Sequence, residues 1–391
     1  MHARGRRVIA AAMRLAGMLF IAVPFRIAAS QGADASPWRF SGSYLTLYSR
    51  SRTVIPPAQD FTLDLNRLRL RLEGEPIDRV RIDVQSDNEL LLGSYIRTSQ
   101  YALTKDRGAP TVFDLDHVYT SGDDFVARHR LYRATVSWSG ANTDVKLGRQ
   151  RVALGTGQFW SPLDLLNPID PTRLERDYRS GVDAVLVEQK LGAIARFDGV
   201  YAPATGRARS IAAGYMHANT RGTDYSILAG TFRGDNAVGV DFARGIGGLG
   251  IRGEATMTRP DSGSSYSRVL LAADYGFRNT LTVTAELYYN GQGASAPERY
   301  DLAAQLAARV LNVGQHYGAM ASSYEITPLV KLAAYVVRNF DDRSGVLWPR
   351  LEYAATTNLV LAAGVQRFTG RPVSEYGRFP TLAHGELRWF F

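Results

Sequence analysis

Cysteine is absent from the 391 residues. That excludes disulfide frameworks, thiolate metal sites and thiol nucleophiles, and it leaves nothing to carry a lipid anchor behind an N-terminal leader. Lysine is scarce, with four residues, so the basic charge is almost entirely arginine. Past residue 30 there is no run of about 20 apolar residues, which excludes a helical membrane span. Beyond that point the histidines are His117, His129, His217, His316 and His384, and none shows metal-ligand spacing. Gly245, Gly247 and Gly250 have the spacing of a dinucleotide-binding turn, but no helix-forming pattern follows, so they read as a glycine turn. No metal, cofactor or nucleic-acid partner is expected.

What is present is 45% hydrophobic and 10% aromatic residues, with 20 Tyr and 37 Gly, enough apolar material to fold. The formal charge of +9 is concentrated at the start. Residues 1–30 carry Arg4, Arg6, Arg7, Arg14 and Arg26 and no acid, around an apolar stretch from Val8 to Phe25, and end in Ala28, Ala29 and Ser30. This is the layout of a secretory signal peptide. Its removal would take away five arginines and lower the surplus from nine to four. The expected organisation is a leader over residues 1–30 and a single domain over residues 31–391, although Ala33-Asp34-Ala35 offers a second cleavage point.

In that domain the hydrophobic period is two, over stretches matching the roughly 9 to 11 residues of a tilted transmembrane strand. Leu281, Val283, Ala285, Leu287 and Tyr289 alternate with Thr282, Thr284, Glu286, Tyr288 and Asn290. Leu249, Ile251, Ala255 and Met257 alternate in the same way with Arg252, Glu254 and Thr256. Short turns, at residues 74–78, 139–142, 191–193, 219–222, 245–248, 278–280, 326–328 and 355–358, are separated by longer polar connections. The longest of these cover residues 86–124, 155–181 and 291–314. This rhythm predicts an all-β, transmembrane up-and-down antiparallel barrel of about 18 strands with long extracellular loops. Counting back from a last strand that descends to Phe391 makes the first strand, residues 38–48, rise from the periplasm, as an exported N-terminus requires. Leu387, Trp389 and Phe391 share a face, which resembles the closing-strand signal read by the outer-membrane barrel-assembly machinery; lipid and lipopolysaccharide are the implied surroundings.

Arginines recur on the polar faces. Arg67, Arg69 and Arg71 alternate with leucines, Arg79 and Arg81 follow on the next strand, then Arg133, then Lys146, Arg149 and Arg151 around a bulge expected at Gly148. Charges do not face lipid cheaply, so these residues are expected to form one basic wall in a wet lumen, or to pair there with inward acids. A basic wall would concentrate anions. The 155–181 connection carries Trp160, Asp164, Asp170, Arg173, Glu175, Arg176, Asp177 and Arg179 with several prolines. It would be either a constriction folded into the pore or a structured cap outside it. The acids Asp87, Glu89, Asp114, Asp116, Asp123 and Asp124 are read as a solvated loop, and residues 295–312 as a helix over the mouth.

With Leu147-Gly148-Arg149-Gln150-Arg151 and Asn66-Arg67-Leu68-Arg69-Leu70, residues 60–185 resemble the alginate-export outer-membrane porin family. The resemblance implies an 18-stranded barrel passing an anionic polysaccharide through an arginine-lined pore. The segment from Trp160 to Asp177 departs from that family in its proline spacing. The expected function is a porin-like channel in the outer membrane of a Gram-negative-type bacterium, passing polar and preferentially anionic solutes. Polysaccharide export is the alternative. His384 and Glu386 share an inward face, so a surface hydrolase is the reading from another class, but the chain is not expected to be an enzyme.

Overall fold

The computed structural model describes residues 36–105, 112–168, 170–175, 178–179, 181–203, 210–306 and 310–391. The expected signal peptide lies outside the described residues. The strands are β1 (Trp38–Arg52), β2 (Asp60–Ile77), β3 (Val80–Leu92), β4 (His117–Ser121), β5 (Phe125–Ser139), β6 (Thr143–Gln150), β7 (Val182–Lys190), β8 (Ala195–Ala202), β9 (Ile211–Thr220) and β10 (Thr223–Phe232). They continue as β11 (Asp235–Ile246), β12 (Leu249–Arg259), β13 (Tyr266–Gly276), β14 (Thr282–Asn290), β15 (His316–Thr327), β16 (Val330–Asn339), β17 (Gly345–Thr356), β18 (Leu359–Thr369) and β19 (Leu382–Phe390).

Consecutive strands pair antiparallel except that β3 pairs with β5 rather than β4, and β1 pairs with β19, so 18 strands close a ring. β4 stands outside that count. It lies along the β5 edge that the short β6 leaves free: β6 reaches Ala134 of β5, and β4 pairs with residues 126–129 above it. Closure matters because an open edge in lipid would leave each backbone group unsatisfied at several kcal/mol. Two-residue periodicity then sorts the side chains. The outward set includes Leu72, Val136, Trp138, Ile227, Leu271, Leu287, Leu332, Leu347 and Leu351, all exposed, which is the apolar belt a membrane requires.

The sequence expectation and the structure part at several places. Asp87 and Glu89 belong to β3, not to a loop, and point into the lumen. The segment 295–312 is not one helix but a 3-10 turn, Pro297–Arg299, followed by α2 (Leu302–Leu306); among the described residues a further helix, α1 (Ser99–Thr104), lies in the β3–β5 connection. Pairing runs unbroken through Gly148 on both sides, so there is no inserted residue there, although its φ is 113°. The bulge is instead in β5, where Ser86 pairs with Leu131 and Gln85 with Arg133, and the skipped Tyr132 turns to the lumen.

Candidate functional site

β2, β3 and β5 face the lumen with opposite charges in register. The Arg69 Nε and Nη2 donate to both oxygens of Asp87 at 2.6 and 2.8 Å. Arg71 donates to Asp83 at 3.1 and 2.9 Å, and Arg67 and Arg128 each reach Glu89 at 2.7 Å. Arg81 and Arg39 both bind Glu73. Cross-strand pairs of opposite sign are the cheapest way to hold charges on one face of a sheet. The arginines thus form a wall, but a paired one.

Two of the expected wall residues are elsewhere. Arg79 sits in the β2–β3 turn with φ 63°, exposed, beside Asp78. Arg149 keeps the outward parity of Leu147, because no residue is inserted at Gly148. Its guanidinium holds Asp183 at 2.8 Å and the Leu131 and Phe113 carbonyls, which ties the seam between β6 and β4. Lys146 keeps the inward parity. Arg133 is buried, 4.1 Å from the Tyr132 ring centroid, and donates to the Arg179 carbonyl at 2.6 Å. Arg151, past the end of β6, is exposed to the lumen and has no ion pair or hydrogen bond among the described residues.

The β6–β7 connection folds inward and crosses the lumen. Its outgoing limb is gripped by two wall carboxylates that sequence periodicity places inward but does not mark as anchors. Glu254 of β12 accepts from the backbone N–H of Thr156, Gly157 and Leu163 and from the Ser161 hydroxyl at 2.8 Å. Glu286 of β14 accepts from the N–H of Gln158, Phe159 and Trp160 at 2.7, 2.9 and 3.2 Å. Trp160 stacks on Tyr288 with centroids 5.2 Å apart. Leu163 and Leu166 pack into an apolar cluster with Val182, Val200, Ile211 and Leu228, filling the β7–β11 side of the lumen. Each buried aliphatic contributes roughly 1.5–3 kcal/mol.

The returning limb docks on the arginine wall. Glu175 takes both Arg67 terminal nitrogens, and Tyr178 stacks on Tyr132 at 4.9 Å with the Arg67 guanidinium 4.1 Å from its centroid. Asp164 is buried 3.2 Å from Arg179. Asp170 accepts from the Thr172 N–H at 2.9 Å, and Arg173 lies exposed 5.5 Å from the Tyr178 centroid. Arg176 and Asp177 lie outside the described residues.

The space left open is a polar cavity of about 850 Å³ between this loop, the arginine wall and strands β14–β19. Among the described residues seven basic side chains line it against three acidic ones, Glu175, Glu352 and Glu386. Lys331, like Arg151, has no partner among the described residues. Arg350 is bound to Glu386 at 3.0 Å and to Glu352 at 3.1 Å. These β16–β19 charges were missed as a site. The visible signal was alternation of Lys331, Arg350, Glu352 and Arg388 with apolar neighbours.

Above the cavity the β14–β15, β16–β17 and β18–β19 connections meet on Glu375, which is fully buried. Its carboxyl accepts from Tyr317 Oη and Asn339 Nδ2, both at 2.8 Å, Gln305 Nε2 at 2.9 Å and the Val313 N–H. Burial pushes it up to about 7 despite four donors. A carboxyl raised in the folded state above its unfolded value binds its proton more tightly when folded. Stability should therefore fall as pH rises from about 4.5 to about 7, by roughly 3 kcal/mol in all. Melting midpoints at pH 5 and pH 8 should show the fall, and Glu375→Gln should make it shallower. An equally steep profile in that variant would place the titration elsewhere.

No family model matches the chain, and no curated relative is found. Among solved structures the barrel is similar to OccAB1 of Acinetobacter baumannii, at 12% identity and TM-score 0.57 over 91% of this chain and 97% of that one. It is similar also to OccD3 (OpdP) of Pseudomonas aeruginosa, at 12% and 0.56 over 91% and 92%. The outer membrane protein OpdK of Pseudomonas aeruginosa matches at 8% and 0.55 over 90% and 98%. The fold is that of an outer-membrane porin. At these identities the likeness is one of architecture, and the lumen has to be read from its own side chains.

Proposed function

We propose that the chain is a passive channel in the outer membrane of a Gram-negative-type bacterium, admitting small polar solutes and anions preferentially. The observation that carries this reading is the cavity of about 850 Å³, where among the described residues basic side chains outnumber acidic ones seven to three and Arg151 and Lys331 have no ion pair or hydrogen bond. Free cations in a narrow aqueous space raise the local anion concentration, whereas the paired arginines of β2 and β3 contribute little net field. The apolar belt and the porin fold support the location. His384 accepts from the Trp348 indole at 2.9 Å, which occupies the nitrogen a hydrolase would use as base. Export of an anionic polysaccharide is a second reading that rests on the arginine-rich segments of residues 60–185. The loop crossing the lumen favours small solutes over a polymer.

Reversal potentials across a planar bilayer in a potassium chloride gradient test the proposal. The wild type should prefer chloride, and Arg151→Glu with Lys331→Glu should abolish or invert that preference. Cation preference in the wild type, or no conductance steps at all, would sink it.

A further inference from the structure

The outward face carries charge where lipid-facing surfaces rarely do. Arg338 of β16 is opposite Gly318 on one side and Gly345 on the other, so neither flanking strand supplies a side chain to cover or pair it. Arg367 of β18 is opposite the exposed outward Leu347 and shares its face. Arg343 is exposed in the connection between β16 and β17. None of the three has an ion pair or hydrogen bond among the described residues, and the outward positions of β16–β19 hold no acidic side chain. All three lie at the extracellular ends of their strands or just beyond, the height of the outer headgroups.

Below Arg338, on the same face, is a shallow apolar groove of about 480 Å³. Ala273 and Ala285 form its floor, and Leu271, Leu287, Met320 and Phe340 rise around it. Small residues in a row of large ones make a trough on the belt, and Arg338 closes its outer end.

We infer that this face binds one phosphorylated lipid of the outer leaflet, with an acyl chain in the groove and phosphate on Arg338, Arg343 and Arg367. Charge complementarity selects the occupant. An apolar partner would leave three guanidinium groups unanswered, and a soluble anion would not fill the groove. Arginine offers several donors in a planar fork, which suits phosphate oxygens. The inference rests on the outer-membrane location proposed above but not on channel activity.

Native mass spectrometry of the detergent-solubilised barrel with diphosphoryl lipid A tests it. The wild type should retain one lipid molecule. The triple variant Arg338→Gln, Arg343→Gln, Arg367→Gln should bind about tenfold more weakly, and so should Ala285→Trp, which fills the groove. Dephosphorylated lipid A should bind the wild type as weakly as the intact lipid binds the triple variant. Equal retention by all three proteins would overturn the inference. So would displacement of the lipid by millimolar inorganic phosphate alone, or a change of oligomer mass in the variants, which would assign the face to a second copy. Conductance of the same variants should match the wild type, so a conducting barrel that holds no lipid fails here alone, and a silent barrel that holds lipid fails only as a channel.

Discussion

Replacing Glu254 and Glu286 together by alanine should raise single-channel conductance several-fold. Between them the two carboxylates accept six backbone N–H groups from one limb of the lumen loop. Hydrogen bonds to a charged group contribute about 1.5–3 kcal/mol each, and a buried N–H stripped of its acceptor costs about 1–3 kcal/mol. The limb is also held by apolar packing around Phe159, Trp160 and Leu163, by the Arg252 guanidinium on the Thr156 carbonyl and by the Gly155 N–H on the Tyr215 hydroxyl, but these are fewer than the contacts the two carboxylates supply. With six orphaned donors the limb gains more by meeting water than by staying packed, and it should leave the lumen. The barrel itself keeps every strand pairing, so heat-modifiable folded protein should be present at wild-type levels. Planar-bilayer recordings give the answer directly. Unchanged conductance in a folded double variant would show that the current does not pass the loop.

Deleting Phe391 should reduce folded protein in the outer membrane about tenfold, as two lost backbone hydrogen bonds at about 0.5–1.5 kcal/mol each reach the roughly 1.4 kcal/mol that makes a factor of ten. The Phe391 carbonyl accepts from the Gly42 N–H at 2.8 Å, and its own N–H donates back at 3.0 Å. Its ring lies over Gly42, where a Cβ would come within 2.4 Å of it, and sits 4.9 Å from the Trp389 ring. The last residue is therefore the final rung of the seam between β19 and β1. Removing Asp114 and Asp116, by contrast, takes away one exposed ion pair, Arg130 with Asp116, of the kind worth about 0–1 kcal/mol. Heat-modifiability on gels of outer-membrane fractions distinguishes the two. Equal folded yield in the truncated chain would mean that the seam closes without its terminal rung.

The architecture was legible because it is written in two strong periods: alternation within strands, and short against long connections between them. Those depend on local sequence alone. Asp87 and Glu89 were misplaced for a physical reason. A lumen-facing strand end looks as polar as a loop, and only the arginines opposite show that the acids are partners. Arg149 was misread because a positive-φ glycine resembles a bulge, yet Gly148 keeps register on both sides. Whether the 155–181 segment lies in the pore or outside it is decided by Glu254 and Glu286, roughly 100 residues downstream. No local pattern reports a carboxylate that accepts backbone donors across a lumen.

The wall above β6 is assembled from two stretches of chain that are not consecutive, with β4 standing where a longer β6 would have been. Surface connections in barrels usually tolerate insertion and drift. Here the stretch around residues 112–121 does not have that freedom. Val112 and Phe113 are fastened to Asp183, and Arg149 holds the Phe113 carbonyl. Insertions should be tolerated less well beside Val112 and Phe113 than at the β12–β13 tip, where tags or foreign epitopes should be accepted in preference.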